Sequence, residues 1–216
     1  MAGFVRDGYL RFDEIIPKGL CGQLMDEIRQ GVYAQSTTCG MMFSRLWPPP
    51  VVAGISLRLP AVQGVLESMN GPNSRYDGHA VHCIGSEDGD PYPLHQDAEY
   101  DTGEFGFDLM AFIFPHDCPP EMGGTLLVPG SQFRRVHESN ISRYQHILGE
   151  QQITCKAGTL IIRHHNLWHR GQPNRSGRPR IMFKLRLNPM VKQIRLWRSD
   201  DLVSPDGKVR EILSQV

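Results

Sequence analysis

The chain has 216 residues, of which 40% are hydrophobic and 21% are charged, and these proportions are typical of a globular protein with a single buried core. Lys and Arg together number 23, as do Asp and Glu, so the formal net charge is zero and gives no reason to expect nucleic acid or a membrane as a partner. No apolar run approaches the roughly 18 residues of a bilayer span, and residues 1–9 lack the continuous apolar stretch of a secretory signal.

The cysteines indicate a reducing compartment. Their number is odd and no two have C-x-x-C spacing: Cys21, Cys39, Cys83, Cys118 and Cys155. This pattern is not typical of a disulfide framework or of a structural zinc site. We therefore interpret each cysteine as a small buried or loop residue, and we expect a cytoplasmic protein.

The N-terminal third of the chain, about residues 1–75, is predicted to be helical. A first helix is expected from Pro17 to the residue before Gly31. Its apolar residues recur every four positions: Leu20, Leu24 and Ile28. A second helix is expected from Pro60 to Gly71. Its apolar side is formed by Val62, Val65, Leu66 and Met69.

The next part, about residues 76–190, consists of short segments rich in β-branched and aromatic residues, separated by Gly and Pro. Six predicted strands lie here: 79–84, 107–114, 124–128, 151–155, 158–163 and 181–187. Many short strands at close spacing favour a sandwich or barrel over a parallel α/β sheet. The tail, about residues 191–216, is predicted to end in a short helix with the apolar residues Val209, Ile212, Leu213 and Val216.

The strand predicted at 181–187 has two different faces. Its apolar face is formed by Ile181, Phe183, Leu185 and Leu187, and Arg180, Met182, Lys184 and Arg186 alternate with them. If Arg180 points into the barrel, the apolar face points outward and must be covered, and we expect the N-terminal helices to cover it. Lys184 is then partly buried and needs a partner.

His95 and Asp97 form the first candidate metal-binding pair. They are two residues apart in the segment Pro93 to Asp97, and residues two apart in a strand point to the same face. Alone this is a weak signal, because such pairs are also found in polar loops. A third ligand from elsewhere in the chain is required.

That third ligand is expected in the histidine-rich segment 158–180. His164, His165 and His169 compete for the role. We predict His169, because it closes the apolar run and precedes a loop rich in Gly and Pro that leads to Arg180. The intervening hairpin is expected to bring His169 and Arg180 to the same mouth of the fold.

These residue types together indicate iron chemistry. Two imidazoles and one carboxylate on one face of iron(II) leave three coordination positions open, of which a 2-oxo acid fills two by chelation and dioxygen the third. The far carboxylate of such a co-substrate needs a planar, always charged partner, and Arg180 is the predicted one. An ion pair between Arg180 and an acidic residue such as Glu104 is the alternative interpretation.

Four segments carry a resemblance to a known family, in this order: Phe4 to Phe12, His95 to Asp97, Met122 to Gln132, and His169 to Arg180. Together they resemble the phytanoyl-CoA dioxygenase family of iron(II)- and 2-oxoglutarate-dependent oxygenases. The resemblance implies a mainly β fold with flanking α-helices, built on a double-stranded β-helix (a jelly-roll, cupin-like barrel). It also implies His95, Asp97 and His169 as iron ligands and release of succinate and CO2. Met122 and Gln132 stand where the family often has Asn and His.

The leading hypothesis is a single-domain dioxygenase that uses O2 to hydroxylate a small or carrier-linked organic substrate. The carboxylate of Asp97 argues against halogenation, because related halogenases resemble this family but have a small residue there. Thr125 is a candidate hydrogen-bond donor to 2-oxoglutarate, although packing is the commoner role of a β-branched strand residue. Two alternatives stay open: a zinc or manganese hydrolase that uses the same three ligands, and a binding module in which they are vestigial.

Overall fold

A computed structural model gives the fold of the protein. It describes residues 2–31, 33–35, 41–44, 54, 56–72, 74–85, 91–97, 108–134 and 136–189. Within these ranges the α-helices are α1 (Ala2–Asp7), α2 (Lys18–Arg29), α3 (Pro60–Asn70) and α4 (Glu138–Ile141). Single 3-10 turns are formed by Pro120–Met122 and Ser131–Phe133. No helix in the described ranges is both long enough and apolar enough to cross a bilayer.

The strands of the described residues form two antiparallel sheets. They are β1 (Tyr9–Phe12), β2 (Tyr33–Gln35), β3 (Met41–Ser44), β4 (Arg75–Ile84), β5 (Leu109–Phe114), β6 (Leu126–Leu127), β7 (Gln151–Gln152), β8 (Thr159–His164), β9 (His169–Arg170) and β10 (Arg180–Asn188). Seven of them form one sheet in the order β1-β8-β5-β10-β4-β3-β2, and three form the other in the order β7-β6-β9. This mainly β architecture with flanking helices is the one predicted.

The N-terminal third is not wholly helical, as was predicted, because strands β1, β2 and β3 lie in it and join the seven-stranded sheet. The predicted helices and strands themselves differ from the observed ones mainly in their ends. Helices α2 and α3 match the two predicted helices, and β6 and β7 are shorter than the predicted strands 124–128 and 151–155. Strand β6 is short because Gly123 (φ +67) and Gly130 (φ +79) turn the chain before and after it. The helix predicted near the C-terminus lies outside the described residues.

The main core lies between the seven-stranded sheet and helices α2 and α3. The outward face of β10 supplies Ile181, Phe183, Leu185 and Leu187, all buried. They belong to one cluster with buried residues of the helices, among them Leu24, Val62 and Leu66. Each such side chain contributes about 1.5–3 kcal/mol by leaving water. The prediction that the N-terminal helices cover this face is therefore confirmed.

A second core fills part of the space between the two sheets. The seven-stranded sheet contributes Phe112, Phe114 and Ile161, and the three-stranded sheet contributes Leu127. Met122, which replaces the family's common Asn, is buried in the same cluster. This packing leaves the interior near β9 and the start of β10 to polar side chains, which line a cavity there.

Gln132 ties the loop after β6 to the N-terminal helix. Its Nε2 donates a hydrogen bond to the carbonyl oxygen of Val5 in α1 at 2.9 Å, and the side chain is buried. Gln132 thus has a packing role in this chain, where the family often has His.

Candidate metal centre

His95 and His169 face each other across a single antiparallel bridge. Each backbone N–H donates to the other residue's carbonyl oxygen, at 3.0 Å from His95 and 2.9 Å from His169. The two ring centroids are 4.2 Å apart. The backbone pairing therefore places the two imidazoles side by side, although they are far apart in the sequence.

Asp97 joins them by a different route from the one predicted. Residues 95–97 do not form a strand, so the prediction from strand alternation was wrong in its geometry. The chain bends after His95, and the N–H of Asp97 donates to the carbonyl oxygen of His165 at 3.1 Å. The candidate ligand atoms of His95, Asp97 and His169 still lie within 4.8 Å of one another.

The hydrogen bonds of the two imidazoles direct their Nε2 atoms toward the cluster. Nδ1 of His95 is 2.9 Å from the carbonyl oxygen of Pro93, and Nδ1 of His169 is 3.0 Å from that of Leu167. A ring that donates from Nδ1 keeps its lone pair on Nε2, the form that binds metals. Burial, together with the nearby charge of Arg163, holds the pKa of His169 well below its ordinary value, so this ring is neutral at pH 7.

The other two candidate histidines, His164 and His165, lie elsewhere. Nδ1 of His164 accepts the backbone N–H of Asn166 at 3.0 Å, and its ring stacks on that of His165. Nδ1 of His165 is held by the backbone of Asp108, whose N–H is 2.7 Å away. Of the three histidines, the structure thus brings His169 to His95 and Asp97.

Arg180 begins β10, as predicted, but the link from His169 to it is not a hairpin. Strand β9 pairs with β6, whereas β10 pairs with β4 and β5, so the connection crosses from one sheet to the other. The crossing still brings both residues to one cavity. Arg180 is 4% exposed, and its Nη1 donates to the carbonyl oxygens of Met122 (3.4 Å) and Gln172 (3.2 Å). Glu104, its alternative partner, lies outside the described residues.

The cavity extends from His95 and His169 to Arg180 and has a volume of about 190 Å³. Polar and apolar side chains share its wall, and its remaining lining residues are His82, Ile84, Tyr92, Phe112, Thr125, Gly171, Met182 and Lys184. Thr125, the further candidate, is 5% exposed and its Oγ1 is 3.8 Å from the Sδ of Met182. A pocket of this kind admits a small molecule.

Two cations meet the carboxylate of Asp97. Nζ of Lys184 donates to Oδ1 at 2.5 Å, and Nη2 of Arg163 contacts Oδ2. Burial lowers the pKa of Lys184 to about 7 and that of Arg163 to about 9. The partner expected for Lys184 is thus Asp97.

His82 and Arg163 were not singled out from the sequence. His82 lies opposite Met182 in the β4–β10 pairing, and its Nε2 has no hydrogen-bond partner among the described residues. Burial lowers its pKa to about 3, helped by the charges of Lys184 and Arg180. The register between β4 and β10 decides which residues of β4 lie near Arg180. That register cannot be read from the sequence of either strand alone, so His82 could not be identified in advance.

The donor set suits a divalent iron ion. Two imidazole nitrogens and one carboxylate oxygen converge, and the second nitrogen of each ring is held by a backbone carbonyl. An ion held by these three donors would keep coordination positions for further ligands.

The fold is shared with solved structures of low sequence identity. EctD from S. alaskensis, solved with 2-oxoglutarate and 5-hydroxyectoine, has a TM-score of 0.71 at 20% identity over 90% of this chain and 76% of its own. The epimerase SnoN from nogalamycin biosynthesis, solved with Fe3+ and alpha ketoglutarate, has a TM-score of 0.67 at 18% identity over 87% and 81%. HygX from Streptomyces hygroscopicus, solved with nickel and 2-oxoglutarate, has a TM-score of 0.65 at 14% identity over 90% and 86%.

The sequence itself matches one family. No curated protein matches the chain. The profile of the phytanoyl-CoA dioxygenase family (PhyH) matches residues 56–182, more than half of the chain, and that range includes His95, Asp97, His169 and Arg180. The chain therefore belongs to the phytanoyl-CoA dioxygenase family of iron- and 2-oxoglutarate-dependent enzymes, and its two sheets form the family's double-stranded β-helix.

Proposed function

We propose that this protein is an iron(II)- and 2-oxoglutarate-dependent dioxygenase that hydroxylates a small or carrier-linked organic substrate and releases succinate and CO2. His95, Asp97 and His169 are its proposed iron ligands. The observation that carries the proposal is the cavity, which reaches from His95 and His169, clustered with Asp97, to the buried guanidinium of Arg180.

Iron(II) bound by these residues would supply the activation of dioxygen. The two histidines would hold it through Nε2, since Nδ1 of each ring is held by a carbonyl oxygen. Asp97 would supply the carboxylate oxygen. Its second oxygen stays with a cation of the protein, which fixes the plane of the carboxylate.

Arg180 is the proposed anchor of the far carboxylate of 2-oxoglutarate. Its Nη1 is oriented by two backbone carbonyls, and a guanidinium held in this way presents its remaining N–H groups at a fixed angle. Thr125 lines the same cavity, so we assign its hydroxyl a hydrogen bond to the co-substrate. The apolar side chains of Phe112 and Met182 also line the cavity, where they would keep water from the co-substrate.

Hydroxylation is the proposed outcome among several that this fold supports. The solved relatives include an epimerase and a carbocyclase, and also EctD, which was solved with a hydroxylated compound. The carboxylate of Asp97 occupies the position that a halide needs, which supports oxidation without halogenation. A hydrolase would leave the buried Arg180 without a role.

The proposal is tested by an anaerobic titration of the protein with Fe(II) and 2-oxoglutarate. We expect the weak visible charge-transfer band of the chelate in the wild-type protein and in His137→Ala, a histidine whose Nδ1 is paired with Ser139 away from the cavity. His95→Ala and Asp97→Ala should lose the band. Arg180→Met should keep it only at 2-oxoglutarate concentrations raised by about ten- to a hundredfold, as for the loss of charged hydrogen bonds.

Succinate formation is the second readout. Air and Fe(II) should give succinate from 2-oxoglutarate in the wild-type protein, faster when the right substrate is present. Turnover of an ester or amide in Zn(II) without oxygen would instead establish the hydrolase.

A further inference from the structure

Arg163 is a fully buried cation in the interior between the two sheets. It is 0% exposed, and its Cζ lies 4.7 Å from the ring centroid of Phe112. Its Nη1 donates to three backbone carbonyl oxygens, of His164 at 3.1 Å and of His165 and Leu167 at 3.4 Å each. One edge of the guanidinium is thus fixed by the turn after β8, and the other edge faces the metal centre.

The second amino group of Arg163 lies against two of the proposed iron ligands. Nη2 is 3.2 Å from Nε2 of His169 and contacts Oδ2 of Asp97. These two ligand atoms are 3.7 Å apart, so one nitrogen bridges them. The guanidinium therefore meets the same lone pairs that a metal ion would use.

The other oxygen of Asp97 has a separate partner. Nζ of Lys184 holds Oδ1 at 2.5 Å, so the carboxylate is already shared between two cations. A divalent ion added here would lie close to a buried positive charge. Coulomb repulsion in a poorly screened interior raises the free energy of the metal-bound state.

We propose that Arg163 is a positioning residue that competes with the metal ion for Asp97 and His169. It holds these two side chains together in the metal-free protein and lowers the affinity of the site for divalent metal. The inference rests on the proposed function, since it takes Asp97 and His169 as iron ligands. Metal binding then requires the guanidinium to withdraw from the two ligand atoms while Nη1 keeps its carbonyl partners.

This role predicts opposite effects on the two states of the protein. Without the guanidinium, Asp97 loses a partner in the metal-free protein, whereas the incoming ion loses a competitor. Arg163→Met should therefore lower the melting temperature of the metal-free protein and tighten metal binding at the same time. If Arg163 had only a structural role, its substitution would lower both the melting temperature and the affinity for metal.

The test is a titration with Co(II) in the presence of 2-oxoglutarate, followed by the visible absorption of bound cobalt, with melting of the metal-free protein measured alongside. Arg163→Met should bind Co(II) at least about tenfold more tightly than the wild type. Arg163→Lys, which restores the charge, should return the affinity to within about threefold of wild type. Arg186→Met is the matched control, because Arg186 is on the barrel-facing side of β10 but pairs with Asp108, and it should change the affinity by less than about threefold.

Equal or weaker Co(II) binding by Arg163→Met would overturn the inference. If that variant does not fold, Arg163→Gln carries the same prediction, because its amide retains an N–H donor for the backbone carbonyls. Failure of the wild-type protein to bind Co(II) would instead sink the proposed function. The two failures are therefore distinguishable.

Cys118 and Cys155 form a second, independent feature, far from each other in sequence but adjacent in the fold. They face each other across an isolated antiparallel bridge, with N–H to O distances of 2.8 and 3.0 Å in the two directions. Residues that exchange both hydrogen bonds have Cα atoms about 5.5 Å apart, inside the range of about 4.4–6.8 Å found for disulfides. The two thiols are hydrogen-bonded, which lowers the pKa of Cys118 and raises that of Cys155.

Both cysteines line a surface cavity of about 380 Å³, together with Arg11 and Lys156. We infer that this pair is a modification site for small-molecule disulfides, such as glutathione disulfide. The partly exposed Cys155 attacks the small disulfide while its proton passes to the sulfur of Cys118, and one thiolate leaves; the buried Cys118 then attacks the mixed disulfide, and the second thiol leaves with that proton. The two protein sulfurs are oxidised, the small disulfide is reduced to two thiols, and the new bond joins Cys118 to Cys155.

The cross-link is tested on the full chain incubated with glutathione disulfide, by counting free thiols with a maleimide and mapping linked peptides. We expect two thiols fewer, one Cys118–Cys155 peptide and a higher melting temperature, since a cross-link restricts the unfolded chain. Cys155→Ser should abolish the loss, and Cys83→Ser, the matched control in β4, should not. Stable glutathione adducts, or pairing with another cysteine, would overturn the assignment.

Discussion

Asp97 is the residue on which the interior charges converge. Lys184 holds one of its oxygens and the fully buried Arg163 contacts the other. Removal of one member of a buried ion pair leaves an uncompensated charge, which costs about 3–5 kcal/mol. Asp97 thus contributes to the stability of the fold in addition to its proposed role as a ligand.

This leads to a prediction for the metal-free protein. Asp97→Asn should lower the free energy of unfolding by about 3 kcal/mol, because Arg163 and Lys184 lose their shared carboxylate. His95→Gln removes another proposed ligand but leaves those two contacts, and it should cost about 1 kcal/mol or less. Urea denaturation in a chelating buffer measures both. Equal losses in the two variants would show that the buried charge pairs contribute little.

At the scale of elements, the site depends on a tight crossing between the two sheets. Gly123 has a left-handed backbone (φ +67), and a Cβ there would overlap the carbonyl group of Pro173. The preceding residue, Met122, accepts a hydrogen bond from Arg180. The loop before β6 is therefore held against the segment that leads into β10.

Gly123→Ala tests this contact. We expect a loss of about 2 kcal/mol or more in the free energy of unfolding and a higher KM for 2-oxoglutarate, because the partner of Arg180 is displaced. Gly149→Ala is the matched control: Gly149 also has a positive φ (+87) but has open space around it. It should show only the cost of the backbone conformation, with KM unchanged. If both substitutions changed the free energy of unfolding and KM by similar amounts, the loss would come from the positive φ alone and not from the contact with Pro173.

The elements also show how far the sequence could predict the site. The two faces of β10 follow from strand periodicity, and the prediction that helices cover its apolar face is confirmed because that periodicity is local. The convergence of His95 and Asp97 was predicted from strand alternation, but these residues do not form a strand. A bend in the chain and the hydrogen bond from Asp97 to His165 bring the two side chains together instead. The contacts of Arg163 and the Cys118–Cys155 bridge depend on the pairing of distant segments, so residue spacing gave no sign of them.

At the scale of the whole molecule, buried neutral histidines set the response to acid. Burial, with the nearby charges of His165 and Arg163, lowers the pKa of His164 to about 3, and the pKa of His82 is lowered similarly. Both rings gain protons on unfolding when the pH is below their ordinary value of 6.5. Their contribution to stability is therefore complete above about pH 6.5 and is lost as the pH falls toward 3.

We therefore expect the free energy of unfolding to fall by about 1.4 kcal/mol per pH unit for each such histidine between pH 6 and pH 4. His164→Asn keeps an acceptor for the N–H of Asn166 but cannot titrate, so its slope should be smaller by about one proton. Urea denaturation across this pH range measures the slope. An unchanged slope in the variant would show that His164 is already protonated in the folded protein.

The proposed activity of the molecule depends on one metal ion held by three side chains from two parts of the chain. The most direct measurement is anomalous diffraction from crystals grown anaerobically with Fe(II) and 2-oxoglutarate. We predict a single strong iron peak about 2.0–2.2 Å from Nε2 of His95, Nε2 of His169 and a carboxylate oxygen of Asp97, with the far carboxylate of 2-oxoglutarate on Arg180. Iron bound to His164 or His165, or a co-substrate that does not reach Arg180, would contradict it.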